Sequence, residues 1–232
     1  MVSQISAAAA AGANGVPDIG EIRRALAALD PAEPDFRDRP KRAAVALILA
    51  GREDDPSLCL IRRAEHAQDP WSGHMAFPGG RVDPGDPTPR AAAEREAMEE
   101  VGLALAGGEF LGPVAEIPVY AKGRDTDMAL FAFAYYLGPA IPALRPNREV
   151  ADAFWAPLSH MFDERRLDEV TITREGIDYT LPAVTLRGRP VWGVTYRVFY
   201  LFARALSRAL PEGPTRPPQD PPPAPPPKPP AE

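Results

Sequence analysis

The sequence predicts an α+β fold, built from mixed strands and a few helices without a regular strand–helix alternation. Three observations lead there. Short apolar runs of strand length recur through the middle of the chain. Three segments instead space their apolar residues for a helix, and no internal repeat orders the two kinds.

Taken in order, residues 1–17 are Ala- and Gly-rich and are expected to be disordered. Residues 18–29 (DIGEIRRALAAL) place Ile19, Ile22, Leu26 and Leu29 at helical spacing, and 30–41, rich in Pro and charge, form a connector. The runs 43–49 (AAVALIL) and 58–61 predict two strands, with the turn-prone GREDDP between them as a hairpin loop. A helix follows near 89–101, then strands around 110–117, 129–137 and 153–157, and a second hairpin from 169–174 and 179–186. Residues 194–209 predict a helix with Val194, Val198, Leu201 and Ala205 on one face. Its Phe199, Tyr200 and Phe202 could cover the chain's own sheet or a partner subunit, which leaves a homodimer open. The packed domain therefore spans 42–209, and residues 210–232, with PPPAPPPKPP, form an extended polyproline tail.

Composition narrows the function classes. Hydrophobic residues at 45% and charged residues at 25% are ordinary for a globular protein. A net charge of −6 argues against a nucleic-acid partner but leaves nucleotides open, because a metal ion can neutralise phosphate locally. Cys59 is alone in an apolar run, so neither a disulfide framework nor a cysteine zinc site is expected. No stretch approaches the ~18 apolar residues of a membrane span, and the Ala-rich start lacks the basic flank of a secretory signal. A cytoplasmic location is the default.

The chemistry concentrates in residues 77–103. Gly79-Gly80 is followed by Asp83-Pro84-Gly85-Asp86, which is turn chemistry. Thr88 is suited to cap a helix, Pro89 to begin it, and Gly102 to end it in a left-handed conformation. Ala91, Glu94, Met98 and Val101 fall along one side, mostly apolar. Glu96, Glu99 and Glu100, at i, i+3 and i+4, project together from roughly the opposite side. Like charges at this spacing destabilise a helix by a few tenths of a kcal/mol per pair, a penalty that a bound divalent cation reverses. Carboxylate oxygens select Mg²⁺ or Mn²⁺, which share their remaining coordination with water and substrate phosphate.

FPGGR at 77–81 followed by REAMEEVG at 95–102 resembles the Nudix hydrolase box. The resemblance implies a mixed β-sheet sandwiched between helices, and Mg²⁺-dependent hydrolysis of a diphosphate linkage in a nucleotide derivative. It implies that Glu96, Glu99 and Glu100 bind the metal with the Gly80 carbonyl, that Glu96 is a candidate base, and that Arg95 braces the loop through an acid near the turn. The gap from Asp86 to Arg95 is one residue longer than in the usual box, and either Asp86 or Asp83 could take the bracing role. Upstream, LIRRAEHAQDPWSGHMAFPGG at 60–80 resembles the coenzyme A pyrophosphatase branch, matching at Arg63-Ala64, Gly73 and 77–80. Asp69 stands where that branch has a second arginine, for which Arg62, Arg63 or Arg81 could compensate; Arg63 and Arg81 are the candidates for substrate binding. Further matches to the branch are Glu149-Val150 with FWAPL at 154–158, and WGVTY at 192–196. Glu149 could add an acid to the site or be a surface charge. His66, His74 and His160 lack ligand spacing, and His74 is the one to test. ADP-ribose, dinucleoside polyphosphates and nucleoside triphosphates are alternative substrates on the same scaffold. A non-catalytic nucleotide-binding module is the alternative outside enzymes.

Overall fold

The computed structural model describes residues 15–29, 39–67, 71–121, 124–174 and 177–213. Most of the expected disordered start, most of the connector and most of the Pro-rich tail lie outside them. The chain opens with α1 (Ile19–Ala27), capped by the Asp18 carboxylate, which accepts from the Glu21 N–H. Then come β1 (Lys41–Ala50), β2 (Ser57–Arg63), β3 (Met75–Ala76), β4 (Gly79–Arg81) and α2 (Pro89–Val101). The antiparallel pair β5 (Glu109–Ala121) and β6 (Arg124–Tyr136) follows, then β7 (Val150–Pro157) and the short α3 (Leu158–Met161). β8 (Leu167–Arg174), β9 (Ile177–Leu186), β10 (Arg189–Val191) and α4 (Gly193–Ala205) complete the fold.

A mixed sheet runs β3-β2-β1-β6-β5, with β4 added to β1 and β7 to β2; β1 and β6 pair in parallel and the other pairs are antiparallel. Alternation along β1 explains the layers. Leu47 and Leu49 face a core shared with α1 and α4, while Ala44, Ala46 and Ile48 face a second core under α2. The sheet is thus sandwiched between α2 on one side and α1 with α4 on the other. β5 is the outer strand, which is why Pro113 and Pro118 fit within it, beside breaks in its register. A separate three-stranded sheet, β10-β9-β8, contacts α4 through β9. No helix among the described residues is long and apolar enough to cross a membrane.

Two expected helix faces need correction. On α4 the fully buried residues are Tyr196, Val198, Phe199, Phe202 and Ala203, while Val194, Leu201 and Ala205 are only partly buried. The aromatic rings outcompete the aliphatic positions because each buries more apolar area. Phe199 and Phe202 are thereby used in the chain's own core. On α2 the buried residues are Ala92, Ala93, Ala97, Glu100 and Val101, whereas Met98 is 47% exposed. Small alanines bring the helix close to the sheet, and that approach turns Glu100 inward.

Candidate active site

The site forms where β1 and β2 part. They pair at Leu49–Leu58 and Ala50–Ser57, and the chain then returns into the gap. β3 pairs with β2, setting Ala76 opposite Ile61, and β4 pairs with β1, setting Gly79 opposite Val45 and Gly80 opposite Ala44. Buried Phe77 anchors the crossing, and the Pro78 carbonyl accepts from Ala46 N–H at 2.8 Å. Both glycines are required by close approach. A Cβ on Gly79 would lie 2.3 Å from the Ala44 carbonyl oxygen, and one on Gly80 would lie 2.3 Å from Glu96 Oε1.

The helix beside this gap begins and ends on local signals. Thr88 Oγ1 accepts from Ala91 N–H at 3.1 Å, Pro89 occupies the first turn, and Gly102 (φ 72°) closes the helix. The last carbonyls of α2 are taken up by the segment after β6: Arg145 N–H donates to Val101 O at 2.9 Å and Asn147 N–H to Glu100 O at 3.0 Å. Asn147 Oδ1 also accepts from Glu149 N–H at 2.8 Å, and Glu149 O accepts from Ala64 N–H at 2.8 Å. This clip ties α2 to the end of β2 and brings Glu149 within electrostatic reach of Glu96 and Glu100.

Arg95 organises the carboxylates. Its guanidinium donates to both oxygens of Asp86, at 3.1 and 3.0 Å, to Glu96 Oε1 at 2.9 Å, to Glu99 Oε2 at 3.0 Å and to the Arg81 carbonyl at 3.0 Å. Asp86 therefore makes the bidentate brace, with Asp83 farther away at 3.7 Å. The guanidinium holds the Asp86 carboxyl below the usual carboxylate range. Glu100 accepts from Gly79 N–H at 2.8 Å while only 2% exposed. Burial pushes its carboxyl up to about 7; Glu96 and Glu149 add to the rise, and the Gly79 N–H and Arg63 oppose it. Glu96 is also raised, first by burial, with Arg95 opposing. Burial likewise pushes the Cys59 thiol up to about 12, an inert core position.

Glu96, Glu100, Gly80 and Arg95 thus converge, and Glu99 lies on the outer side with its side chain 53% exposed. Arg63 is near enough to Glu100 to influence it, while Arg81 is exposed on β4. Asp69 falls outside the described residues. Among the described residues no three His, Cys, Asp or Glu side chains form a ready cation cage. The reason is visible: Glu96 and Glu99 share Arg95 Nη1, and Glu100 is turned to Gly79. The donors nevertheless fit a hard divalent cation. They are carboxylate oxygens whose burial and mutual repulsion such an ion relieves, beside a glycine where a Cβ would fill the space. Sequence reasoning did not find the clip at 145–149 or the contact between His74 and Trp192, whose rings lie 4.8 Å apart. Neither leaves a periodic signal.

The NUDIX domain family model matches residues 40–177. The chain is 34% identical over 181 residues to the human mitochondrial coenzyme A diphosphatase NUDT8, covering 76% of this chain and 73% of that protein. It is 32% identical over 173 residues to the uncharacterized Nudix hydrolase NudL of Yersinia pestis, covering 74% of this chain and 83% of that protein. A solved Ap4A hydrolase complex from C. elegans superposes with a TM-score of 0.42 at 21% identity, over 51% of this chain and 81% of that one. With the family model covering more than half of its residues, and a relative above 30% identity along most of its length, the chain belongs to the Nudix family and is one of its pyrophosphohydrolases.

Proposed function

We propose that this enzyme hydrolyses the diphosphate linkage of coenzyme A or an acyl-coenzyme A, releasing 3′,5′-ADP and 4′-phosphopantetheine. The observation that carries the substrate is the 34% identity to a coenzyme A diphosphatase across 73% of that protein. Glu96, Glu99, Glu100 and the Gly80 carbonyl would hold Mg²⁺ or Mn²⁺. When bound, the cation supplies charge screening for the anionic diphosphate and makes a water easier to deprotonate.

The chain's own groups do the rest. Glu96 stands against Gly80, and burial raises its carboxyl, which suits it to accept a proton from a neighbouring water. Arg95 holds Glu96 and Glu99 in place and fixes the loop through Asp86 and the Arg81 carbonyl. Arg63 and Arg81 meet the phosphates as fixed cations. The partner is a small nucleotide, and we place the activity in the cytoplasm, although the human relative is named mitochondrial. Cell fractionation followed by the same assay tests that placement.

The deciding experiment is a hydrolysis panel with and without Mg²⁺ or Mn²⁺. It contains coenzyme A, acyl-coenzyme A, ADP-ribose, NADH, a dinucleoside polyphosphate and a nucleoside triphosphate. Metal-dependent release of 3′,5′-ADP with little turnover elsewhere supports the proposal. Faster cleavage of another member reassigns the substrate, and saturable binding without any cleavage returns the chain to a binding module.

A further inference from the structure

Of the three tryptophans, one stands apart from both cores. Trp71 packs against the core of α1 and α4, and Trp155 against the core of α2; among the described residues, Trp192 belongs to neither. It is half-buried, and its ring meets His74 at 4.8 Å between centroids with the planes 48° apart. A tilted contact of this kind supports the indole without lying flat on it.

Backbone pairing relates this pair to the carboxylates. Ile61 and Ala76 are opposite one another and belong to the core on the α2 side. Two residues on, Arg63 N–H donates to the His74 carbonyl at 3.0 Å. Arg63 and His74 are thereby neighbours across the end of the β2–β3 pairing, and the Arg63 charge acts on Glu100. Trp192 is held from the other direction. Gly193 turns the chain into α4 with φ 62°, and the Thr195 hydroxyl donates to the Met75 carbonyl at 3.0 Å. Carboxylates, Arg63, His74 and Trp192 are therefore linked in one series, each to the next.

We propose that Trp192, braced by His74, is the surface on which the purine base of the substrate stacks, with Arg63 facing the phosphates between the base and the carboxylates. This rests on the reading of the protein as a nucleotide diphosphate hydrolase, and it assigns the base end of that site. The chemistry matches: a purine offers a flat π face of any sequence of substituents, and an indole is the side chain that stacks on it most extensively. Trp192 is a specificity-determining residue in this account, and His74 a positioning residue.

Binding without catalysis tests it. Adenosine 3′,5′-bisphosphate and ribose 3,5-bisphosphate carry the same phosphates, and only the first carries a base. Wild type is expected to bind the first more tightly and to show quenching of tryptophan fluorescence. Trp192→Ala should weaken the first ligand roughly tenfold, the usual value of one base stack, and leave the second unchanged. Trp192→Phe should restore most of the difference, and His74→Ala should fall between. In turnover, Trp192→Ala should raise KM roughly tenfold with kcat nearly constant. Equal affinity of wild type and Trp192→Ala for the base-bearing ligand overturns the proposal. So does equal weakening of both ligands, which would make Trp192 structural. Absence of any hydrolysis by wild type removes the proposed function instead, and the contrast between the two bisphosphates still decides the stacking.

Discussion

Replacing Gly80 by alanine puts a methyl group where the Glu96 carboxylate now lies. The new Cβ would stand 2.3 Å from Oε1, 2.5 Å from Cδ and 2.8 Å from Oε2. Ordinary contact lies near 3.5 Å, so the carboxylate must retreat by about 1 Å. It can do so, because Glu96 is a side chain whose partners are Arg95 and the space before β4. The retreat disturbs an ion pair at a partly exposed site, where such pairs contribute about 1 kcal/mol or less. A chain of 232 residues should then lose only about 2–4 °C in Tm. Catalysis should suffer far more, since a group displaced by about 1 Å commonly costs on the order of 100-fold in rate. The assay pairs a thermal melt with kcat at saturating Mg²⁺ for wild type, Gly80→Ala and Glu96→Gln. Gly80→Ala with near-wild-type kcat beside an inactive Glu96→Gln would refute the reasoning, because the position of Glu96 against Gly80 would then not matter.

Gly79→Ala should behave in the opposite way: its Cβ meets β1 backbone at Ala44 O (2.3 Å) and Val45 Cα (2.7 Å), so stability should fall by roughly 1–3 kcal/mol in denaturant melts. In metal-free protein, Glu100 is protonated in both states well below pH 4.5, and the native state then loses stability as pH rises towards its folded value of about 7. The full difference is about 3 kcal/mol at pH 8; Glu100→Gln should remove that slope, and parallel pH profiles for the two proteins in chelator would contradict it. Arg95→Lys breaks a planar fork shared by Asp86, Glu96 and Glu99, and should lower turnover roughly 10- to 100-fold, read as a weaker Mg²⁺ response. The double change Glu99→Gln/Glu100→Gln should reduce metal-dependent hydrolysis roughly 100-fold with circular dichroism unchanged, and full activity would remove these acids from the metal site.

What the sequence reveals depends on whether the cause is local. Thr88, Pro89 and Gly102 act on their own neighbours, so the limits of α2 are readable from residue types alone. The inward turn of Glu100 is not, because it depends on how closely Ala93 and Ala97 let the helix approach β4 and on an N–H of Gly79 that only tertiary pairing presents. The two- and three-residue strands β3 and β4 are hidden for the same reason: glycine and proline read as a loop until the parting of β1 and β2 supplies their partners. The choice between Asp83 and Asp86 is likewise one of distance, not of residue type. The box residues could be picked out because several of them fall within one helix and its leading loop. Glu149 acts on Glu100 from the turn before β7, far along the chain, and had only a likeness to suggest it.

The guanidinium of Arg95 also bears on how the enzyme is born. Three acidic side chains on adjoining turns would ordinarily oppose helix formation, yet a positive charge fixed in the same helix touches two of them and a buried N–H satisfies the third. The protein therefore carries its own counter-ion and does not need to wait for metal to assemble. Loading then shifts carboxylates on a helix that is already folded, so metal uptake should be reversible and should leave the fold standing when the ion is withdrawn.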